Sequence, residues 1–257
     1  MAPVILQQFP SEIVDYAEPF TGGGSVALEV AERFPDADIS LNDADWWVSS
    51  FWSTVIGEQW EFDRLVEFSK IEPTIGEFNR RRKRFCPEVY AQRFFLCPDP
   101  VEAACNTLFF NRTTFSGILS SGPIGGKDQG GKLNVAVRWP TSLPDDLRKA
   151  REILEGRTTC ECTDFVSFSE AHPDSFLYCD PPYFKAGGAL YGPPINDLHD
   201  RLFKLLAKRG NWLLSYDPDG AKLYKGFPMD SLDHYRSMSN RKVRPRDASE
   251  YLIKPKV

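Results

Sequence analysis

The sequence predicts an α/β protein with a mainly parallel sheet, helices on both faces, and a helical and hairpin insertion in its middle. Three observations carry that expectation. Short apolar runs closed by turn residues alternate with segments of helical spacing, the pattern of a sheet with crossover helices. Residues 13–34 read as strand, glycine turn and helix in immediate succession. Between 58 and 157 the pattern changes to short amphipathic helices broken by prolines, then to a glycine-dense polar stretch.

Taken in order, residues 13–17 are an apolar run of strand length, and Glu18-Pro19-Phe20-Thr21-Gly22-Gly23-Gly24-Ser25 leads from it into a helix over 26–34. Glycines let the backbone approach a ligand where a Cβ would block it, and the next helix presents N–H groups without intrahelical partners. A plain tight turn suits the same residues. A second strand over 37–41 ends in Asn42-Asp43-Ala44-Asp45. Asp43 thus falls about 20 residues past the glycine turn, where nucleotide-binding α/β folds hold ribose hydroxyls. Phosphate binding of the Walker kind is disfavoured, because no Gly-Lys-Ser/Thr closes the turn.

Asp45 is a capping residue for a helix over 46–56, whose aromatics read as core. Residues 58–109 follow as short helices interrupted at Pro73, Pro87, Pro98 and Pro100, and they carry the unbroken run Arg80-Arg81-Arg82-Lys83-Arg84. Residues 106–139 predict a projecting loop or hairpin, with Asn111, Arg112, Lys127, Gln129 and Arg138 as side chains of the kind that reach phosphates and base edges. A helix over 145–154, a strand over 157–162 that ends at Asp164-Phe165, a helix over 197–208, a buried strand over 211–216 and a last strand over 250–254 complete the pattern.

The stretch Phe176-Leu177-Tyr178-Cys179-Asp180-Pro181-Pro182-Tyr183 is an apolar strand that stops at a carboxylate, two prolines and an aromatic ring. The prolines fix φ and have no N–H, so the loop offers only carbonyl oxygens. Asp180 and the Pro181 carbonyl suit the two N–H groups of a flat exocyclic amine, with the Tyr183 ring to stack on its heterocycle. Two such acceptors favour a pyramidal nitrogen with its lone pair free. An ordinary strand-to-loop exit would read the same way in isolation.

The balance of the 257 residues, 42% hydrophobic and 26% charged, is that of a globular chain with room for one large or two small domains. No apolar run approaches the roughly 20 residues that span a membrane, and no signal-peptide pattern opens the chain, so a cytoplasmic location is expected. The six cysteines form no Cys-x-x-Cys pair and there are only three histidines, so no metal is expected and the thiols read as reduced. The net charge of −5 argues against a polyanionic partner, but its distribution argues for one. Residues 1–60 hold ten acids and the single base Arg33, whereas the 80–84 run and Arg236, Arg241, Lys242, Arg244 and Arg246 concentrate positive charge. Such patches suit an enzyme that grips a polyanion on one side, or are plain solvated faces.

Glu-Pro-Phe-Thr-Gly-Gly-Gly (18–24), Asn-Asp-Ala-Asp (42–45), Phe-Asn-Arg-Thr-Thr-Phe-Ser-Gly (110–117), Asp-Phe (164–165), Asp-Pro-Pro-Tyr (180–183) and Leu-Leu-Ser-Tyr (213–216) follow one another as an ordered set spanning nearly the whole chain. The set resembles the Dam-type DNA N6-adenine methyltransferases. The resemblance implies a Rossmann-like S-adenosylmethionine-dependent methyltransferase sheet formed by 1–57 and 158–257, with 58–157 as an inserted target-recognition domain. It implies that Glu18, Pro19, Phe20, Gly22 and Gly24 lie against the methionine part of S-adenosyl-L-methionine, that Asp43 holds the ribose, and that Asp164 and Phe165 meet the cofactor adenine. Asp180, Pro181, Pro182 and Tyr183 would then hold a target adenine flipped out of double-stranded DNA, by a chain expected to act as a monomer. Members of the family usually carry a lysine-bearing Gly-Gly-Lys segment before the first strand. Its absence from the residues ahead of Ile13 predicts slow turnover, unless Lys127, Lys185 or a base of the 241–246 set closes the pocket. Methylation of cytosine N4 or of a protein glutamine, and DNA binding without catalysis, are the competing readings.

Overall fold

The fold was read from a computed structural model, which describes residues 2–84, 99–119, 121–183, 197–233 and 249–256. The second basic set, Lys185, Cys86 and Cys97 lie outside the described residues. The described strands are β1 (Asp15–Glu18), β2 (Asp38–Asn42), β3 (Thr158–Glu161), β4 (Phe176–Cys179), β5 (Trp212–Tyr216), β6 (Met229–Asp233) and β7 (Ser249–Ile253). The helices are α1 (Ala2–Ile5), α2 (Ser25–Arg33), α3 (Trp46–Ile56), α4 (Gln59–Ser69), α5 (Ile75–Arg84), α6 (Pro100–Thr113), α7 (Leu143–Leu154), α8 (Phe165–Ala171), α9 (Leu198–Leu206) and α10 (Pro218–Ala221). The chain divides into two compact units, Met1–Ala44 with Thr163–Val257, and Asp45–Cys162.

In the first unit the strands run in the order β2-β1-β4-β5-β7-β6. β1 is parallel to β2 and β4, and β4 to β5, whereas β7 is antiparallel to both β5 and β6. β4 and β5 are buried throughout, as central strands covered on both faces must be. Alternation along β4 divides its side chains between two cores. Phe176 and Tyr178 meet the Phe9 ring at 4.8 and 5.9 Å, while Leu177 and Cys179 join Phe168, Leu202, Leu206, Trp212, Leu214 and Tyr224 in the main cluster. Truncating a fully buried leucine such as Leu177 to alanine would cost about 2–5 kcal/mol. Because β1, β2, β4 and β5 are parallel, their carboxyl-terminal ends, at Glu18, Asn42, Cys179 and Tyr216, share one edge of the sheet.

The second unit is built around α6, which buries residues on every side, from Val101 through Phe109, Phe110 and Thr113. Asp99 caps α6 by accepting from the N–H groups of Val101 and Glu102 at 3.0 and 3.3 Å. Trp47 and Trp52 of α3 are buried, as expected of core aromatics. Arg151 of α7 is buried with them and donates to the carbonyls of Val55 and Gly57 at 2.9 and 3.0 Å, satisfying the open end of α3. By compactness, α3 and β3 belong to this unit, which therefore begins at 45 and ends at 162, wider than the 58–157 span read from the sequence.

The elements not expected include α8 and β6. α8 follows Asp164 directly, where the sequence suggested only the end of a strand; Asp164 caps it by accepting from the Val166 N–H at 3.0 Å. β6 has the polar sequence Met-Asp-Ser-Leu-Asp, and as the edge strand it needs no apolar alternation. Residues 133–139, which alternate like a strand, instead turn at Asn134, whose Oδ1 accepts from the N–H groups of Ala136 and Val137 at 3.0 and 3.1 Å.

Gly220 of α10 is fixed by close approach, since a Cβ there would lie 2.7 Å from the Tyr216 ring. Helix propensity alone favours alanine over glycine by about 1 kcal/mol. Gly220→Ala is nevertheless expected to destabilise the protein by about 1–3 kcal/mol, through overpacking. Denaturant unfolding measures the sign.

Candidate active site

Four strand ends lie on the shared edge of the first unit's sheet, and the Asn42 side chain joins the exit of one of them, β1, to the entry of α8. Its Nδ2 donates to the carbonyls of Pro19 and Thr163 at 3.1 and 3.2 Å, and its Oδ1 accepts from the Thr163 N–H at 2.9 Å. Thr21 completes the clip: its N–H donates to the Asn42 carbonyl at 3.0 Å, and its Oγ1 accepts from the Asn42 N–H at 3.1 Å. The exit of β1, the end of β2 and the entry to α8 are thereby held in one arrangement.

Gly22 has a φ of 48° and its N–H donates to Asp43 Oδ2 at 2.8 Å, so the turn and the acid predicted to act together do touch. Gly23 has no left-handed backbone, and a Cβ on it would meet nothing within 4 Å. Nothing among the described residues requires glycine there, and they leave the open side of the turn with room for a ligand pressed against the backbone. Glu18 at the end of β1 is only 3% exposed, and its Oε2 accepts from the Tyr16 hydroxyl at 2.8 Å. Burial, helped by the charges of Asp180 and Asp43, pushes the Glu18 carboxyl up to about 8 against the pull of the Tyr16 hydrogen bond. Asp43 and Asp180 thus both act on Glu18 along this edge, an arrangement that suits a cationic ligand.

Phe20 and Phe165 pack with ring centroids 5.2 Å apart. Asp164 pairs with Arg201 of α9 at 2.6 Å, and the guanidinium lies 5.0 Å from the Phe165 centroid. Burial acts to raise the Asp164 pKa, but the hydrogen bonds from Arg201 and from the Val166 N–H together hold it below the usual carboxylate value. Past β4, Asp180 is exposed, Pro181 buried, and Tyr183 packs part of its ring against the main core cluster. Beneath them the hydroxyls of Tyr178 and Ser215 lie 2.8 Å apart, tying β4 to β5. The structure therefore places Glu18, Pro19, Phe20, Gly22, Gly24, Asp43, Asp180, Pro181, Pro182 and Tyr183 in the first unit at or just past strand ends on this edge, and Asp164 and Phe165 at the entry to α8 that Asn42 ties to it.

The remaining residues singled out by sequence belong to the second unit. Arg112 ends α6, Asn111 is exposed beside it, and the chain turns through Thr114, which bridges to Pro123. Lys127 and Arg138 are exposed on the following turns. Gln129 faces inward: its Nε2 donates to the carbonyls of Ile124 and Gly126 at 2.8 and 2.5 Å, and its Oε1 accepts from the Val135 N–H at 2.9 Å. The basic run also divides. Arg80, Lys83 and Arg84 are exposed, whereas Arg81 and Arg82 lie over the rings of Phe68, Phe78, Phe109 and Phe110.

Residues 1–217 match the family model described as D12 class N6 adenine-specific DNA methyltransferase. The chain belongs to that family. It is also similar to the Type II methyltransferase M.MjaIII of Methanocaldococcus jannaschii, 23% identical over 278 aligned positions that cover 97% of this chain and 92% of the relative. The protein is accordingly an adenine-specific DNA methyltransferase, which sets aside cytosine N4 and protein glutamine as the methylated amine. Its fold is the expected α/β methyltransferase type, its reaction requires a methyl donor, and among the described residues no helix is long and apolar enough to cross a membrane. No cluster of metal-ligating side chains occurs among the described residues.

Sequence reading of the methyltransferase missed Tyr16, the side chain of Asn42, and Arg201. Tyr16 had a signal, since it sits two residues before Glu18 on the same face of a strand. Asn42 stood in a quoted motif without a role. The Arg201–Asp164 pair joins residues 37 apart and had none.

Glu18 links the site to pH. Its folded pKa of about 8 lies above its usual 4.5, so the unfolded chain releases this proton first as pH rises. The Glu18 contribution to stability is therefore full below about 4.5 and is lost progressively up to about 8. Glu18→Gln is expected to lack this decline, so that Tm measured from pH 5 to pH 8 should fall less in the variant than in the unaltered enzyme.

Proposed function

We propose that the methyl donor is S-adenosyl-L-methionine and that the target is an adenine flipped from duplex DNA. The observation that supports this reading best is the placement of Asp180 and the glycine turn with Asp43 on strand ends that share one edge. A backbone turn open on its outer side, with buried Glu18 behind it, fits a cationic nucleoside donor. Glu18, Pro19, Phe20, Gly22 and Gly24 would lie along its amino-acid part, Asp43 on the ribose, and Asp164 and Phe165 at the adenine. When bound, the donor supplies an electrophilic methyl group.

The chain's own part is to hold the amine and take its proton. Asp180 accepts one N6–H and the Pro181 carbonyl the other, which draws the nitrogen towards a pyramidal shape and frees its lone pair for the methyl carbon. Pro181 and Pro182 hold those acceptors still, and Tyr183 stacks on the base. The Asp180 carboxylate then stands beside the proton that the methylated amine releases. Because the adenine edge is enclosed in a stacked duplex, the base must leave the helix first.

In this reading the first unit carries out the chemistry and the second grips DNA, through Arg80, Lys83, Arg84, Asn111, Arg112, Lys127 and Arg138. Phe115, 47% exposed at the head of the following loop, adds an apolar ring of the kind that fills a gap in a base stack. The enzyme would act as a monomer in the cytoplasm, and the type II name of its relative fits a role in restriction–modification.

Incubation with methyl-labelled S-adenosyl-L-methionine and duplex DNA, followed by digestion to nucleosides, should yield N6-methyladenine. Asp180→Ala should lower transfer by about 10²–10⁴-fold, as loss of a positioned proton acceptor does, with donor affinity nearly intact. Asp43→Ala should do the reverse, weakening the donor about tenfold to a hundredfold through loss of a charged hydrogen bond. Equal loss of donor affinity in both variants, read by calorimetry, would refute the division of roles.

A further inference from the structure

The run Arg80–Arg84 reads as one phosphate-binding patch, but α5 turns Arg82 away from solvent and onto the loop that follows α6. Arg82 Nη1 donates to the Leu119 carbonyl at 2.8 Å and Nη2 to the Ser121 carbonyl at 2.5 Å. Its guanidinium lies 4.7 Å from the Phe110 centroid and 5.2 Å from that of Phe78, and these two rings meet edge to face. A planar fork with its face on aromatic rings and its donors on two carbonyls is a geometry that only arginine supplies.

Ladder bonds close the loop at its neck, and turn bonds shape it beyond. At the neck, Phe115 N–H donates to the Gly122 carbonyl at 3.0 Å and Ile124 N–H to the Thr113 carbonyl at 2.9 Å. Beyond the neck, the turn bonds of Gly117 and Ile118 are long, at 3.3 Å each, Ser121 N–H donates to the Ile118 carbonyl at 2.9 Å, and Ser116 sits in the left-handed region with φ 59°. A non-glycine residue held there persists only if its surroundings over-determine it. The fork of Arg82 reaches the loop from a separate helix.

We propose that Arg82 is a positioning residue for target recognition: by holding the Leu119 and Ser121 carbonyls it fixes the loop that follows α6, and through it the presentation of Phe115, without contacting a phosphate. This rests on the reading of the second unit as the DNA-gripping part. Arg82 thereby governs discrimination between DNA sequences, whereas exposed Lys83 and Arg84 govern general affinity.

The test begins with the unaltered enzyme, whose methylated adenines on plasmid DNA are mapped by sequencing to give its target. Binding is then measured across salt concentrations for a duplex with that target and for one with the target scrambled. Arg82→Lys keeps the charge without the fork, and Arg82→Met keeps the packing on Phe78 and Phe110 without the charge. Both are expected to lower the target-to-scrambled ratio about tenfold or more, with the salt slope, donor affinity and melting unchanged. Lys83→Gln with Arg84→Gln should weaken both duplexes alike and flatten the log–log salt slope by about one unit per lost contact. A flatter slope in Arg82→Met that Arg82→Lys restores would make Arg82 a phosphate contact and overturn the proposal. An unchanged ratio in both variants would overturn it, as would loss of cooperative melting in both, since Arg82 would then support the whole unit. Arg112→Gln separates the two readings. If it leaves both duplexes bound as before, the DNA-gripping role read for the end of α6 fails; if it weakens them while Arg82→Lys changes nothing, only the Arg82 inference fails.

Discussion

The arrangement of the active-site edge depends on one buried amide. Asn42 is inaccessible to solvent and bonds through both ends of its side chain to backbone on either side. Parallel strands bring their carboxyl-terminal ends to one edge, but they do not decide how the loops beyond them lie. The Asn42 amide does, since each loop end it holds would otherwise bury an unpaired N–H or carbonyl at about 1–3 kcal/mol. Asp43 follows at once and takes the Gly22 N–H, so the clip also sets the glycine turn against its acid.

The distribution of charge then separates chemistry from support. Counted along the sequence, the arginines of α5 are equivalent. In the fold, Arg81 pairs with Glu77 at 2.6 Å and donates to Asn106 Oδ1 at 2.7 Å, and Arg82 holds two carbonyls, so both are engaged within their unit. Helix periodicity explains the split, because successive side chains step about 100° round the axis and neighbours face different ways. An exposed ion pair such as Arg84–Glu102, at 3.2 Å, contributes little to stability.

How much of this was legible follows from the length scale of each signal. The strands of the first unit's core were readable because burial on both faces makes Phe176–Cys179 and Trp212–Tyr216 continuous apolar runs. β6 was not, because an edge strand carries its polar residues without penalty. The glycine turn and Asp43 were legible because their pairing spans a single strand–helix–strand unit. Arg201 on Asp164, and Arg82 on Leu119 and Ser121, depend on segments 37 to 39 residues apart, and no local pattern encodes them. Gln129 shows the opposite error: a side chain chemically suited to reading bases is engaged entirely within its own loop.

A carboxyl group as buried as Glu18 is costly for any fold that must hold it charged, and the chain avoids the charge by keeping the proton near neutral pH. Tyr16 permits either state, because its hydroxyl donates to Glu18 whether or not the acid is ionised. A cation entering the edge would favour the ionised form and so bind more tightly than to a permanently neutral side chain. The same burial that weakens the empty fold as pH rises therefore becomes a source of affinity once positive charge arrives. This gives a physical reason for placing an acid, rather than an apolar residue, at the buried end of β1.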